Sequence, residues 1–549
     1  MSMKVFQRNS MSGRVYWKLI NKNEGISGSY KDFFELEIDR IRNFAHDSKQ
    51  LYYDKKNKIL CALVGQIHNL SILRNEYSIS ATNDVEVLLY IYLLHKIGVY
   101  KKIEGLYLAL FIDERANLAY IIQSEYGSPL PLYYKSDEKC FIFSTTLRYI
   151  LQHSDVKREL DQTAVHQFLY YERLIPNELT LIKGINKLCT NTYIKIDFAN
   201  CKVEALPIQK TSPKVSMKDA KSQLLSSIDH HIGELVDTLN TQELAITLTG
   251  GWDSNIYFHF LRNRTRKKIF AVTIDGGLQG KSEIPVVQSI LKEYDNVEHL
   301  IGEVQPDITY SLPNIVWGYD GYIFEGGIFL RYELANILCK KNINVVFLGS
   351  CTDQVITQGY RPPLERIRKS FRNFIVEKNH KERVLRNNFF VESPPVRFNI
   401  PITFNLKMHN IMMNNFGVQC LFPVLNHNTC LFASKVYKKN FRKRLFIELI
   451  KQELDERITG QLKKSGAVSD INLIFDYNKN LLLAVLGTNF VQDLLGRKNV
   501  QIISNSPKEF AYLILQLNYT YLFNELFVSG KYDSRFNEHT INRNLRDFC

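Results

Sequence analysis

Residues 245–261 read AITLTGGWDSNIYFHFL. The apolar run ELAITLT (243–249) stops at Gly250 and Gly251, and apolar spacing resumes in NIYFHFL (255–261) with a helical period. A short β-rich run followed by a glycine turn and a helix is one half of a parallel α/β unit. The turn then sits at the carboxyl end of a parallel strand, where open α/β sheets bind ligands. Two glycines permit a tight turn with exposed backbone N–H groups, and the helix start adds to them an anion site. Thr249 and Ser254 add hydroxyl donors. Asp253 would repel an anion, so its chemical sense is to hold a Mg²⁺ that bridges phosphate oxygens. The six residues TGGWDS also permit a plainer reading, a tight turn in which Asp or Ser caps the helix. They are not a Walker A loop, because GxxxxGK[ST] is missing.

The surrounding chain supplies the context. Strand-like runs alternate with helix-like ones after this point: KIFAVTID (268–275), EIPVVQSILKEY (283–294), LRYELANILCKK (330–341) and NVVFLGS (344–350). That alternation predicts a doubly wound parallel sheet, with a mostly helical part after about residue 360. The first 200 residues differ. KILCALVGQI (58–67), GLYLALFID (105–113), LAYIIQ (118–123), CFIFST (140–145) and NTYIKIDF (191–198) are short strands with turn residues between them. Helical spacing there is confined to 84–98 and 161–174. The polar segment ALPIQKTSPKVSMKDAK (205–221), with two prolines, predicts a boundary, giving domains over 1–210 and 211–549.

Composition narrows the function classes. A chain of 549 residues, 45% hydrophobic and 23% charged, is globular and too long for a single ordinary core. No apolar run reaches the roughly 18 residues of a membrane span, and the N-terminus lacks the apolar segment of a secretory signal. A cytoplasmic setting is therefore expected. The nine cysteines form no CxxC pair and read as buried reduced thiols. The net charge of +14 is concentrated in 361–388, with nine Lys/Arg against three Glu, and in KVYKKNFRKR (435–444). These runs read either as solvated helix faces or as a surface for an anionic partner. Zinc-finger and RNA-recognition signatures are missing, which disfavours nucleic acid.

TGGWDS resembles the SGGxDS loop of ATP-pyrophosphatases, and VVFLGSCTDQVITQGY (345–360) resembles the LSGxGxDExxGGY segment of the asparagine synthetases. Gly349, Asp353, Gly359 and Tyr360 match the latter in order. LFPVLNHN (421–428) resembles that family's xPFLDxx, and 441–466 resembles its late helix ending in RxKxG. In the first domain, LVGQIHN (63–69), GLYLALFIDERANLAYIIQSEYGSPLPLYY (105–134) and LYYERLIPNELTLIKGINKL (169–188) resemble its amidotransferase part. The resemblance implies an α+β amidotransferase-like (Ntn-type) sandwich, then an α/β doubly wound ATP-pyrophosphatase domain with a helical end. It implies ATP and Mg²⁺ as cofactors, with the nucleotide held by Thr247, Thr249, Gly250, Gly251, Asp253, Ser254, Val272 and Gly349. Asp253 and Asp353 would hold the metal. Lys463, Lys464 and Glu283 would carry the chemistry, Glu283 standing where the family has a Glu opening a helix.

The sequence departs from the family in places. The glutaminase nucleophile of that family is an N-terminal cysteine; here the start is Met1, Ser2, Met3, and the first cysteine is Cys61. A serine hydroxyl is a poor substitute for that thiol, so glutamine hydrolysis is not expected. Two branches of the family lack the cysteine: β-lactam-type synthetases and lasso-peptide cyclases, in which the substrate's own amine attacks its adenylated carboxylate. The looseness of the second motif, with Cys351 for a Gly and Gln354 for a Glu, favours the peptide cyclase. Its partners would be a peptide or small-molecule carboxylate substrate and a leader peptidase. The competing readings are a β-lactam-type or ammonia-using ligase, a non-catalytic binding protein on the same fold, and a tRNA-modifying enzyme.

Overall fold

The computed structural model describes residues 10–16, 34–39, 51–81, 83–124, 128–171, 178–208, 216–239, 241–277, 282–356, 394–436, 443–462 and 469–529. Lys463, Lys464, Gly359, Tyr360, Ser2 and the basic run 361–388 lie outside the described residues.

The first domain is built from two antiparallel sheets. One contains β1 (Ser10–Tyr16), β2 (Phe34–Asp39), β7 (Tyr133–Ser136), β8 (Cys140–Ser144) and β9 (Asn186–Lys187), in the order β2-β1-β8-β7-β9. The other contains β3 (Leu51–Asp54), β4 (Ile59–Ile67), β5 (Gly105–Asp113), β6 (Leu118–Gln123), β10 (Thr192–Asp197) and β11 (Lys202–Pro207), in the order β11-β10-β6-β5-β4-β3. β4 and β5 are buried along their whole length because alternate side chains face two different covered surfaces. Leu60, Ala62 and Val64 of β4 meet Met11, Val15, Phe141 and Phe143 of the facing sheet. Ile59, Cys61 and Leu63, on the alternate positions, pack instead with Val85, Leu88 and Tyr92 of helix α1 (Asp84–His95). Helix α1 starts where predicted; Asn83 caps it by accepting from the N–H of Val85.

The second domain opens with α2 (Met217–Thr238), whose cap Ser216 accepts from the N–H of Asp219. Its sheet is parallel throughout: β12 (Glu243–Thr247), β13 (Lys268–Asp275), β14 (Val297–Glu303), β15 (Val345–Phe347) and β16 (Gln419–Leu421), ordered β14-β13-β12-β15-β16. The chain runs outward from β12 in one direction and returns to its other side at β15. The order therefore reverses between β12 and β15, and the loops leaving these two strands open a crevice at their carboxyl ends. Connecting helices include α3 (Trp252–Arg264), α4 (Ile284–Leu291), α5 (Ser311–Tyr319) and α6 (Ile328–Lys340). The later part is mainly helical, with α7 (Thr352–Ile356), α8 (Pro394–Asn415), α9 (His427–Val436), α10 (Arg444–Glu453) and α11 (Ala511–Phe523) among its elements. It also contributes β16, a strand not expected in that part, since three residues are too few to show a period.

The two domains share a packed seam. Val165 and Phe168 of the first join Ile228, Tyr319 and Tyr519 of the second in one core. Polar ties cross it as well. Gln66 donates to Thr238 Oγ1 at 3.3 Å, and the rings of His68 and His231 lie 4.7 Å apart. The buried Arg148 Nε stands 3.1 Å from Asp320 Oδ1, with its guanidinium over the Trp317 ring.

Candidate active site

Both motif loops arrive at the crevice. The first runs from β12 into α3, and its hydroxyls form a tight local network. Ser254 Oγ lies 3.0 Å from Thr249 Oγ1 and accepts from the N–H of Thr249 at 3.2 Å. Thr249 Oγ1 in turn accepts from the N–H of Gly251. Asn255 donates to the carbonyls of Thr249 and Gly251, at 2.8 and 2.7 Å. These bonds hold the turn open ahead of α3, which has Gly251 at its cap and no side chain satisfying its first N–H groups. First-turn N–H groups have no intrahelical acceptor, so this end of a 13-residue helix presents donors and a positive dipole to the crevice. The plainer reading of TGGWDS, a capped turn, is thus not how Asp253 is used.

The second loop runs from β15 into α7. A Cβ added at Gly349 would lie 3.6 Å from the backbone N of Ser254, so the absence of a side chain leaves that region open. Thr352 ties the loops together: its hydroxyl donates to the carbonyl of Gly349 and lies 2.7 Å from the hydroxyl of Tyr257 on α3. Ser350 is anchored from the other side by His409 Nε2 at 2.7 Å. Cys351 has φ +71°, the left-handed conformation that suits glycine, so the backbone keeps the shape expected where the resembled motif has Gly.

Asp253 and Asp353 meet through a third residue that sequence reasoning missed. Lys443 Nζ lies 2.7 Å from Asp253 Oδ2 and 2.8 Å from Asp353 Oδ1. Lys443 caps α10 and belongs to the second basic run, where only its charge was visible. Its partners are 190 and 90 positions away, so no local spacing could have revealed them. The electrostatics follow from the geometry. Burial pushes the Asp253 carboxyl up to about 6, Lys443 opposing this and Asp353 adding to it. Burial works against the charge of Lys443, yet the two carboxylates outweigh it and hold its pKa above the ordinary value. One ammonium shared by two acids leaves Asp253 under-compensated, and its buried Oδ1 has no hydrogen-bond partner among the described residues.

The remaining expected residues are placed as follows. Thr247 ends β12, in register with Val272 of β13. Val272 is buried in the sheet core, and its carbonyl accepts from the N–H of Leu248. Glu283 caps α4 on the carboxyl side of the same sheet, with Oε2 buried and without a partner among the described residues. Among the described residues it shares no hydrogen bond or ion pair with Asp253, Asp353 or Lys443.

A divalent cation fits the Asp253–Asp353 pair. A cation already stands between the two acids, and a buried carboxylate oxygen is left over. Mg²⁺ commonly takes only one or two carboxylates and completes its shell with water and phosphate oxygens. Among the described residues no group of three or more His, Cys, Asp or Glu is placed to hold a metal ion.

Comparison with known proteins agrees with this architecture. Residues 40–205 match the glutamine amidotransferase domain, and residues 236–396 match the asparagine synthase domain. The chain is therefore a two-domain protein with an amidotransferase-type domain followed by an asparagine synthase domain. A distant relative is similar over part of the chain. That relative is the glutamine-hydrolysing asparagine synthetase 3 of Bacillus subtilis strain 168, 27% identical over 108 residues. The match spans 19% of this chain and 17% of the relative's length. Among solved structures, the U34-tRNA thiolase NcsA of Methanococcus maripaludis with its [4Fe-4S] cluster is similar at 14% identity. It covers 48% of this chain and 89% of that one, with a TM-score of 0.22 that carries no argument. No helix among the described residues is long and apolar enough to cross a membrane.

Proposed function

We propose that the chain is an ATP-dependent amide-forming ligase. The observation that carries this is the pair of acids Asp253 and Asp353, gathered by Lys443 at the helix end beside the open Gly349. In this reading the N–H groups at the start of α3, with the hydroxyls of Thr249 and Ser254, hold the leaving pyrophosphate. Asp253 and Asp353 hold Mg²⁺, which would neutralise phosphate charge as the nucleotide binds. Lys443 supplies a positive charge beside the phosphates. A substrate carboxylate oxygen attacks the α-phosphorus, the bond to the β-phosphate oxygen breaks, and pyrophosphate departs. An amine then attacks the acyl carbon of the adenylate, AMP leaves, and the amine gives up a proton.

The amine belongs, in our reading, to the same substrate, so that the product is a ring closed by an amide, most simply a peptide macrolactam. In the first domain, burial pushes the thiols of Cys61 and Cys140 up, which suits packing rather than nucleophilic attack on glutamine. Ring closure relies on holding amine and acyl group together, a task for a preformed crevice. A β-lactam-type closure uses the same residues and differs only in substrate size. The test is to incubate the protein with Mg²⁺, ATP and peptides carrying a free N-terminal amine and an Asp or Glu side chain. The reading requires pyrophosphate release together with a product lighter by one water. ATP turnover without such a product would exclude ring closure.

One observation favours a second reading. Lys443 sits where a metal would go, as it would in a binding protein that has replaced its cation with a side chain. That reading predicts ATP binding indifferent to Mg²⁺, or no ATP binding at all.

A further inference from the structure

Trp252, the large residue inside the TGGWDS turn, has no task in the chemistry above. Its ring is half-buried against the core and faces α10, with Lys451 Nζ 5.7 Å from the ring centroid. Lys443 and Lys451 lie at the start of the same helix and about two turns along it. Two consecutive residues of the phosphate loop thus grip α10 at two points: Asp253 takes the ammonium at its cap, and Trp252 takes the side chain further along. Leu445, Phe446 and Ile450 bury the helix's inner face. The cation over the indole adds a contact further along the helix whose strength depends on position over the ring.

We infer that Trp252 is a positioning residue that sets the reach of Lys443 through helix α10, keeping the ammonium on Asp253 and Asp353. Its side chain acts through α10. The inference rests on the ligase reading for its purpose, but not for its test. If Trp252 holds Lys443 on the two acids, Trp252→Ala frees those acids just as Lys443→Met does.

The experiment is a MgCl₂ titration of thermal unfolding without nucleotide, for the full chain, Trp252→Ala, Trp252→Phe, Lys443→Met and the Ala/Met double variant. Trp252→Ala is expected to gain a Mg²⁺-dependent rise in Tm resembling that of Lys443→Met. Trp252→Phe, which keeps a ring under Lys451, should stay close to wild type. The double variant should respond no more than Lys443→Met alone, since both changes act on one link. A Trp252→Ala protein whose Mg²⁺ response matches wild type would overturn the inference, as would full additivity in the double variant. Circular dichroism confirms that each variant is folded. Should Trp252→Ala fail to fold, Lys451→Met removes the same contact from the exposed side and takes its place, with the same expected gain and the same overturning result. A parallel titration with MgATP separates the two ideas. Wild-type protein that ignores MgATP would sink the ligase reading while leaving the Mg²⁺ comparison to judge Trp252.

Discussion

Replacing Lys443 by Met removes the cation shared by Asp253 and Asp353, and the consequences follow from the distances. Two carboxylate oxygens at 2.7 and 2.8 Å from one ammonium lie within about 5.5 Å of each other. At an effective dielectric of about 20, two bare charges at that separation repel by about 3 kcal/mol. Asp353 is 60% exposed, so solvent screening reduces this to about 1–2 kcal/mol. The variant should therefore be modestly less stable without metal, and the vacated site should accept a divalent cation. With a dissociation constant of about 1 mM, 10 mM Mg²⁺ would return about 1.4 kcal/mol. Spread over the roughly 340 residues of the second domain, that corresponds to a Tm rise of about 2 °C. Wild-type protein should respond far less, because its own ammonium competes for the site. The assay is differential scanning calorimetry with MgCl₂ and, as a salt control, KCl at equal ionic strength. Equal Mg²⁺ responses in wild type and Lys443→Met would refute the reasoning.

Three further outcomes are expected. Gly349→Ala should fold normally, since its Cβ meets Ser254 N at an ordinary 3.6 Å, yet cover that N–H and weaken MgATP about tenfold by calorimetric titration; unchanged affinity would remove Gly349 from the site. At position 351, where φ is +71°, Cys351→Gly should be more stable than Cys351→Ala by about 1 kcal/mol in urea unfolding, because both lose the thiol but only Ala keeps the strained backbone; equal stability would argue against the left-handed conformation. Burial, with His231 beside it, holds His68 well below the usual histidine range. The unfolded chain then takes up that proton first, so stability falls as pH drops below about 6.5, by up to about 1.4 kcal/mol per pH unit. His68→Phe should lose that increment between pH 6.5 and 5.5 in paired denaturation curves, and an unaltered pH slope would contradict it.

The parts of the site carried by local chemistry were legible in the sequence. Asp253 and Ser254 stand out because a carboxylate and a hydroxyl between two apolar segments have few structural uses, and strand-helix alternation put them at a sheet's carboxyl end. The short apolar runs of β4 and β5 likewise marked strands, although only the structure shows that both faces are covered, one by a sheet and one by α1. What the sequence concealed is what depends on distance. Lys443 looked like one more positive charge in a basic run, and only the docking of α10 on α3 gives it two acids. Trp252 shows in the sequence only as a large residue inside the loop, and the structure turns its ring toward Lys451. The ring contact of His68 with His231, across the domain seam, left no trace in any window of the chain.

The measurement that bears most directly on the central claim is calorimetric titration of ATP into the full-length protein with and without Mg²⁺, repeated for Asp253→Asn. An ATP-using site built from Asp253, Asp353 and Lys443 requires binding that Mg²⁺ strengthens in the wild type, and that Asp253→Asn weakens at least about tenfold only when Mg²⁺ is present. ATP binding that ignores both Mg²⁺ and the substitution, or no binding at all, would contradict it.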